Sequence, residues 1–163
     1  MLIPVIISAL GFDSSTNDPI VILKEIGGKR TVPIWLGMLE ATAVASELEG
    51  VTFFRPMTHD LLKNVLESMD VRVNKVEICD LKNNTYYALI HMNYNGKKIT
   101  VDARPSDAIA ISLRMKAPIF VSEDVINRSP HIELELKTDE KSKHGKDWQE
   151  ILENTDPEDF GKA

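Results

Sequence analysis

The sequence predicts an α+β fold, in which two mostly antiparallel β-meanders and three main helices follow one another in the order βββ-αα-βββ-α-β. Apolar segments bounded by turn residues indicate two groups of three strands. Between the two groups, apolar residues recur at helical spacing. A proline after the sixth strand marks the start of a third helix, and one more short apolar strand follows that helix.

The first group of strands lies within residues 2–35. Residues 2–12 are apolar on both alternating faces, as in a buried strand, and residues 20–23 form a second apolar strand. The third strand, residues 30–35, contains Pro33. Because proline cannot donate to a ladder hydrogen bond, this strand is expected at an edge of the sheet or at a bulge.

Two helices follow the first group of strands. Small apolar residues recur at helical spacing from Met38 to Leu48, and Gly50 is placed as the C-terminal stop. The second helix follows Pro56, with Thr58 as its predicted N-cap. Its predicted buried stripe consists of Leu61, Leu62, Val65, Leu66 and Met69.

The second group of strands follows these helices. Its apolar alternation changes phase near residues 74–75, which predicts a β-bulge there. The pairs at residues 83–84 and 95–96 are hairpin turns. The third helix begins at Pro105 and extends to about Lys116.

The charge pattern divides the chain. Residues 1–130 carry 15 acidic and 14 basic residues, whereas residues 131–163 carry 10 acidic and 5 basic residues. We therefore predict one domain over residues 1–130 and an acidic, flexible tail over residues 131–163. Within the tail, residues 138–146 have the composition of a linker, and Trp148 lies in a short amphipathic helix. A nearly neutral domain attracts nucleic acid only through a local basic patch.

The composition excludes several classes of protein. With 43 % apolar and 27 % charged residues, the chain is neither wholly disordered nor a fibre. It has no run of about 20 apolar residues that would cross a bilayer, and no secretory signal is evident at its start. The single cysteine, Cys79, excludes an internal disulfide and a cysteine zinc cluster. We expect a cytoplasmic protein that does not enter the membrane.

Polar residues gather where the predicted helices begin. The candidates are Glu40 in the first helix, Arg55, His59 and Asp60 around the start of the second, and Asp102, Arg104, Ser106 and Asp107 around the start of the third. Both of the larger groups end in a helix whose apolar face must cover the same core, so we expect them to meet at one rim, joined by Glu40. Carboxylates beside a histidine and an arginine have the chemistry to hold a divalent cation and bind phosphate, as metal-dependent phosphodiester cleavage requires.

A structural interpretation of the same residues stays open. Glu40, Asp60 and Asp107 fall in first helical turns, where acidic side chains satisfy free backbone N–H groups and the helix dipole. Asp102 and Arg104 are two residues apart on a strand and project from one face, where an ion pair would only hold the strand end. Spacing alone favours capping and ion pairing over catalysis.

Four segments carry a resemblance to a known family. They are Val32-Pro33-Ile34-Trp35-Leu36-Gly37 with Glu40-Ala41, then Arg55-Pro56-Met57-Thr58-His59-Asp60-Leu61-Leu62, Asp102-Ala103-Arg104-Pro105-Ser106-Asp107-Ala108-Ile109, and Ala117-Pro118-Ile119-Phe120-Val121. In this order they resemble the bifunctional nuclease domain family of bacteria and plants, over about residues 3–127. The tail past Pro130 departs from the family pattern.

The resemblance implies an α+β fold and, from the plant members, cleavage of both DNA and RNA. On this interpretation the catalytic residues are His59, Asp60, Asp102 and Asp107, the phosphate-binding residues are Arg55, Arg104 and Ser106, and Mg²⁺ or Mn²⁺ is held by Glu40, Asp60, Asp102 and Asp107. His59 would be the general acid or base.

A second hypothesis is a non-catalytic oligomeric interaction module in which the same polar motifs only join helices. On either hypothesis we expect a homodimer. Nearly all strands are apolar on both faces, and three helices leave part of that surface uncovered.

Overall fold

A computed structural model describes residues 1–132 and 145–154 and has the α+β architecture that the sequence predicts. The strands are β1 (Leu2–Phe12), β2 (Pro19–Glu25), β3 (Thr31–Trp35), β4 (Arg72–Lys82), β5 (Thr85–Tyr94), β6 (Lys97–Ala103) and β7 (Ile119–Ser122). The helices are α1 (Met38–Leu48), α2 (Thr58–Ser68), α3 (Pro105–Met115), α4 (Glu123–Arg128) and α5 (Gly145–Glu153).

One mixed sheet contains both meanders, in the order β3-β2-β1-β7-β4-β5-β6. The last strand, β7, joins them: it is antiparallel to β1 and parallel to β4. Because β6 is an edge and β7 lies in the middle of the sheet, α3 must cross back over the second meander. Accordingly, α3 packs against β4 and β5.

Two local predictions for the strands are confirmed. The strand that contains Pro33 is an edge strand, where a missing N–H costs least. The pairing of β4 with β5 shifts register between Val73 and Lys75, which is the predicted bulge. Pairing also shifts between Ile78 and Asp80, and in β1 between Ile7 and Ala9, where the apolar pattern shows no change of phase.

The core lies between the sheet and helices α1 and α3. Most of α3 is buried, including Ala108, Ile109, Ala110 and Ile111, because the helix has apolar residues nearly all round. The small residues of α1 permit close contact with α3. This contact sets the first turns of the two helices side by side.

Helix α2 does not bury the apolar stripe predicted for it. No residue of α2 is fully buried, and Leu61, Leu62, Val65 and Met69 are all exposed, while Leu66 is half-buried. The stripe prediction was wrong because α2 packs mainly on α3 instead of on the sheet. The apolar face of α2 therefore lies at the surface of the chain.

The start of α2 also differs from the prediction. Thr58 is the first helical residue and not the N-cap, which is Met57. The Asp60 carboxylate accepts a hydrogen bond from the Met57 N–H at 3.0 Å. The side chain that caps the first turn of α2 is therefore the Asp60 carboxylate, whereas the prediction assigned this role to the Thr58 hydroxyl.

Residues beyond α4 contact both faces of the first meander. Ile132 packs against Ala9, Ile20 and Ile22 on the face opposite the main core. In α5, Trp148 is buried and stacks on Phe12, with ring centroids 5.2 Å apart. Residues 138–144 of the predicted linker lie outside the described residues, and the division into a domain and a separable tail stays a prediction.

In residues 1–132 and 145–154, no helix has the length and apolar run that spanning a membrane requires.

Candidate active site

The first turns of α1, α2 and α3 meet beside a cleft of about 810 Å³. The cleft lies between α2 and the inner face of β5 and β6, because α2 rests on α3 and leaves the edge of the sheet uncovered. Most of its walls are apolar, formed by Leu39, Phe53, Met57, Leu62, Ile90 and Val101. Charged side chains from the three helix starts line the rest.

Four of these side chains form a continuous chain of ion pairs. His59 Nε2 lies 2.9 Å from Asp107 Oδ1. Arg104 donates from Nε to Asp107 Oδ2 at 2.8 Å and from Nη1 to Glu40 Oε1 at 2.9 Å. The chain Glu40–Arg104–Asp107–His59 therefore connects α1, α3 and α2 across the cleft.

A second ion pair lies deeper between the same helices. The Arg114 side chain is only 3 % exposed and donates from Nε to Asp60 Oδ1 at 2.7 Å. Its Nη1 donates to the carbonyls of Ala43 and Ala110, and its Nη2 donates to Ser46 Oγ. Arg114 thus ties α2 to α1 and α3 below the chain of ion pairs described above.

The hydrogen bonds of the site stabilise its charged forms. Burial raises the pKa of Asp60 and Asp107, but hydrogen bonds from Arg114 and the Met57 N–H to Asp60, and from Arg104 and His59 to Asp107, outweigh burial and lower both. Hydrogen bonds to Asp107 and then Glu40 raise the pKa of Arg104. Both aspartates are therefore ionised at neutral pH.

The other predicted site residues lie around this cluster without joining it. Asp102 is exposed at the edge of the cleft. β6 ends at Ala103, so Arg104 has left the strand and pairs with Glu40 and Asp107 instead of with Asp102. Ser106 is buried and lines a neighbouring cavity of about 290 Å³, while Arg55 is exposed in the loop before α2.

The described side chains do not form a metal cage. Among residues 1–132 and 145–154, no group of three or more histidine, cysteine or acidic side chains is arranged to hold an ion. Each carboxylate of the cluster instead faces an arginine: Asp60 faces Arg114, and Glu40 and Asp107 share Arg104. This donor set does not fit a divalent cation, because the cationic side chains occupy the oxygens that would bind it.

Comparison with known proteins gives the family. Residues 21–133 match the family described as Bifunctional nuclease domain. This chain belongs to the bifunctional nuclease domain family. It is 36 % identical over 149 residues to the uncharacterized protein Rv1829 of Mycobacterium tuberculosis, covering 88 % of this chain and 89 % of that relative.

Plant members are more distant and much longer. Bifunctional nuclease 1 of Oryza sativa subsp. indica is 28 % identical over 116 residues, which is 69 % of this chain and 35 % of the rice protein. Bifunctional nuclease 2 of Arabidopsis thaliana is 28 % identical over 110 residues, 66 % of this chain and 33 % of that protein. This chain therefore matches about a third of the length of the plant nucleases.

Sequence reasoning missed one member of the site, Arg114. A signal was available: Arg114 follows Asp107 by seven residues, which is two helical turns, so both lie on one face of α3. An arginine within an otherwise apolar helix needs a partner, since a buried unpaired charge is costly. The partner, Asp60, lies 54 positions away in the sequence, so only the packing of α2 on α3 reveals it.

The lowered pKa values of Asp60 and Asp107 predict that the folded chain loses stability in acid. In the unfolded chain both carboxyls titrate near 3.8, above their pKa in the folded state. The stabilisation is therefore present above about pH 4 and is lost as the pH falls through the folded-state pKa values. We expect the free energy of unfolding to fall between pH 5 and 3, and to fall less steeply in Asp60→Asn, when measured by urea unfolding at each pH. Equal slopes in the variant and the wild type would contradict this.

Proposed function

We propose that this bifunctional nuclease domain protein hydrolyses phosphodiester bonds of DNA and/or RNA at the cleft, in the cytoplasm and as a homodimer. The observation that carries the proposal is the His59–Asp107 pair at 2.9 Å, which opens onto a cleft beside an arginine. The family and the names of its plant members support phosphodiesters as the substrate class.

His59 is the proposed general base. Asp107 holds Nε2 and so orients the ring, as carboxylates do in histidine-based catalysis. The other nitrogen, Nδ1, has no partner within the described part of the chain and is left to take a proton from water. The water oxygen then forms a bond to phosphorus as the P–O bond to the leaving group breaks, and solvent at the open cleft protonates the leaving oxygen.

Arg104 is the proposed phosphate-binding residue. Its Nε and Nη1 are held by Asp107 and Glu40, so the guanidinium is fixed in direction while Nη2 stays open to a phosphate oxygen. The two carboxylates outnumber the arginine, so the cluster carries a net charge of −1 while His59 is neutral. When His59 takes a proton from water, the positive charge on its ring offsets the negative charge of the cluster. Negative charge develops on the phosphate in the same step, so the change at His59 favours the transition state.

The test is a cleavage assay on single-stranded and duplex DNA and RNA. Asp107→Asn keeps the size of the side chain but removes its charge, and we expect the rate to fall by about a hundredfold or more. Asp70→Asn is the matched control, because Asp70 is exposed just after α2, outside the cluster, and its positive φ of 56° suits asparagine. Parallel reactions with EDTA and with Mg²⁺ or Mn²⁺ test the metal dependence expected from the sequence; because each carboxylate of the cluster faces an arginine, we expect cleavage to persist in EDTA.

The ion pairs within the cluster support a second candidate function, that of a non-catalytic interaction module. Glu40, Asp107 and His59 are all held within the ion-pair chain and join three helices, as in a non-catalytic interaction module. If Asp107→Asn lowers thermal stability and leaves cleavage per folded molecule unchanged, the cluster is structural. If wild-type protein cleaves none of the four substrates with or without metal, the interaction module is the function.

A further inference from the structure

Two cavities share the Glu40–Arg104 ion pair as a wall. The first is the cleft of about 810 Å³, and the other, of about 290 Å³, is called the second cavity below. Both side chains of the ion pair line both cavities. Ala103 lines the cleft and Pro105 lines the second cavity, so the backbone passes from one to the other at Arg104. The ion pair is therefore a ridge with a cavity on each side.

The second cavity contains an exposed aromatic ring in a fixed orientation. Trp35 lines this cavity and is 39 % exposed. Its Nε1 donates to Asp13 Oδ2 at 2.8 Å, and this hydrogen bond holds the plane of the ring. Bases of any sequence stack on such a ring, because every base has a π face. Trp35 thus gives the second cavity a surface for one unpaired base.

Ser106 adds a hydrogen-bonding group to the second cavity. The residue is only 8 % exposed, and its hydroxyl has no hydrogen-bond partner within the described part of the chain. Because Ser106 lines the second cavity, this hydroxyl is open to a ligand there. The first turn of α3, to which Ser106 belongs, has no side-chain cap, and its N–H groups have no intrahelical partner. These donors suit the sugar and phosphate oxygens of a nucleotide.

The charges of the two cavities limit what they bind. Among the described residues that line them, the only lysine or arginine side chains are Arg104 and Arg114. Arg114 is 3 % exposed and paired with Asp60, whereas Arg104 is 65 % exposed and keeps Nη2 free. A protein that follows a nucleic-acid backbone makes about 6–10 phosphate contacts. This site instead offers one free cation, so it recognises one phosphate and the groups on either side of that phosphate.

We infer that the substrate is a single strand, bound as one dinucleotide step across the ridge. Its phosphate lies on Arg104, one base lies in the apolar cleft, and the next base stacks on Trp35. This inference rests on the proposed function and names its substrate class. Bases of a duplex stay paired and stacked, whereas unpaired bases of a single strand can be splayed apart and stacked on aromatic side chains. Ligand pockets measure about 300–1,000 Å³, so each cavity has the size to hold one nucleoside.

The first experiment measures binding by tryptophan fluorescence, independently of cleavage. Trp148→Phe leaves Trp35 as the one tryptophan of the chain. Phenylalanine keeps the ring stack on Phe12, and no internal hydrogen bond is lost, since Trp148 Nε1 has no partner among the described residues.

This variant is titrated with phosphorothioate-linked dithymidine, which resists hydrolysis, and with thymidine 5′-monophosphate. We expect dithymidine to quench Trp35 and to bind at least about tenfold more tightly than the mononucleotide, because the second base adds its own stacking. A dithymidine that does not quench Trp35, or that binds no more tightly than the mononucleotide, would overturn the inference.

Matched substitutions in the Trp148→Phe background test each cavity. Ser106→Ala removes the hydroxyl from the second cavity, and Val101→Asp places a carboxylate in the apolar cleft. Each should weaken dithymidine binding by about fivefold or more. The controls are Ser122→Ala, at the start of α4, and Ile99→Asp, two residues before Val101 on the same face of β6; both positions lie outside the two linings and should leave binding unchanged. Circular dichroism establishes that each variant is folded. Equal binding by the variants and their controls would contradict the two-cavity arrangement.

The second experiment uses cleavage and separates this inference from the proposed function. A single-stranded oligonucleotide should be cleaved at least about tenfold faster than the duplex of the same sequence, since the duplex keeps its bases stacked. For one phosphate contact, log kcat/KM should fall with log salt concentration at a slope of about −0.7. Equal cleavage of the duplex, or a slope of about −3 or steeper, would overturn the inference and leave the proposed function standing. If no substrate is cleaved, the proposed function fails, and the fluorescence titration still decides whether a dinucleotide binds across the ridge.

Discussion

Arg114→Met is expected to lower the free energy of unfolding by about 3 kcal/mol, which for a domain of this size lowers the Tm by roughly 10 °C. The methionine side chain fills much of the same volume but offers no donors. Asp60 would lose its cationic partner, and Ser46 and the Ala43 carbonyl would lose their donor between α1 and α3. Because Asp60 is still about one-third exposed, the cost lies near the lower end for broken buried pairs.

The measurement is urea unfolding of Arg114→Met beside Arg72→Met. Arg72 is exposed at the start of β4, so that substitution removes the same charge without breaking a buried pair and should change stability by less than about 0.5 kcal/mol. Equal effects of the two substitutions would show that Arg114 does not hold the three helices together.

His59→Gln is expected to lower the cleavage rate by about 10²–10⁴-fold while the protein stays folded. Glutamine keeps a hydrogen-bonding group near Asp107 but cannot take up a proton from water at neutral pH. The effect should appear in kcat more than in KM, because Arg104 remains in place to bind the phosphate.

The chain itself offers a matched control for that substitution. His91 Nε2 lies 2.9 Å from Glu77 Oε2, the same separation as in the His59–Asp107 pair. His91 lies on the strand face away from the cleft, whereas His59 lines the cleft. His91→Gln should therefore leave cleavage unchanged. Equal losses of activity would indicate that both histidine–carboxylate pairs act only through stability.

Local chemistry explains which parts of the fold were predictable. The edge position of β3 follows from one proline, and the bulge in β4 follows from a change in apolar phase, so each depends on residues adjacent in the chain. The position of β7 between β1 and β4 cannot be predicted from adjacent residues, because a short apolar strand can pair with any unpaired strand edge. The position of β7 is set by the path of α3 over β5 and β4.

The site shows the same division. Polar residues before apolar helices predicted that His59, Arg104, Asp107 and Glu40 would meet, and the structure brings them together, with their catalytic roles still a proposal. Asp102 and Ser106 belong to the same sequence motif but lie outside the ion-pair chain, because the backbone turns from strand to helix at Arg104.

The sequence by itself determined the α+β class, the order of the elements and the family, since apolar period, turn residues and motif spacing are properties of neighbouring residues. Only the tertiary structure decided that α2 leaves its apolar face open and that Arg114 pairs with Asp60. An amphipathic sequence pattern shows that a helix has an apolar side, but it does not show which part of the fold covers that side. For α2 the inner layer is already filled by α1 and α3 on the sheet, so its apolar side faces outward.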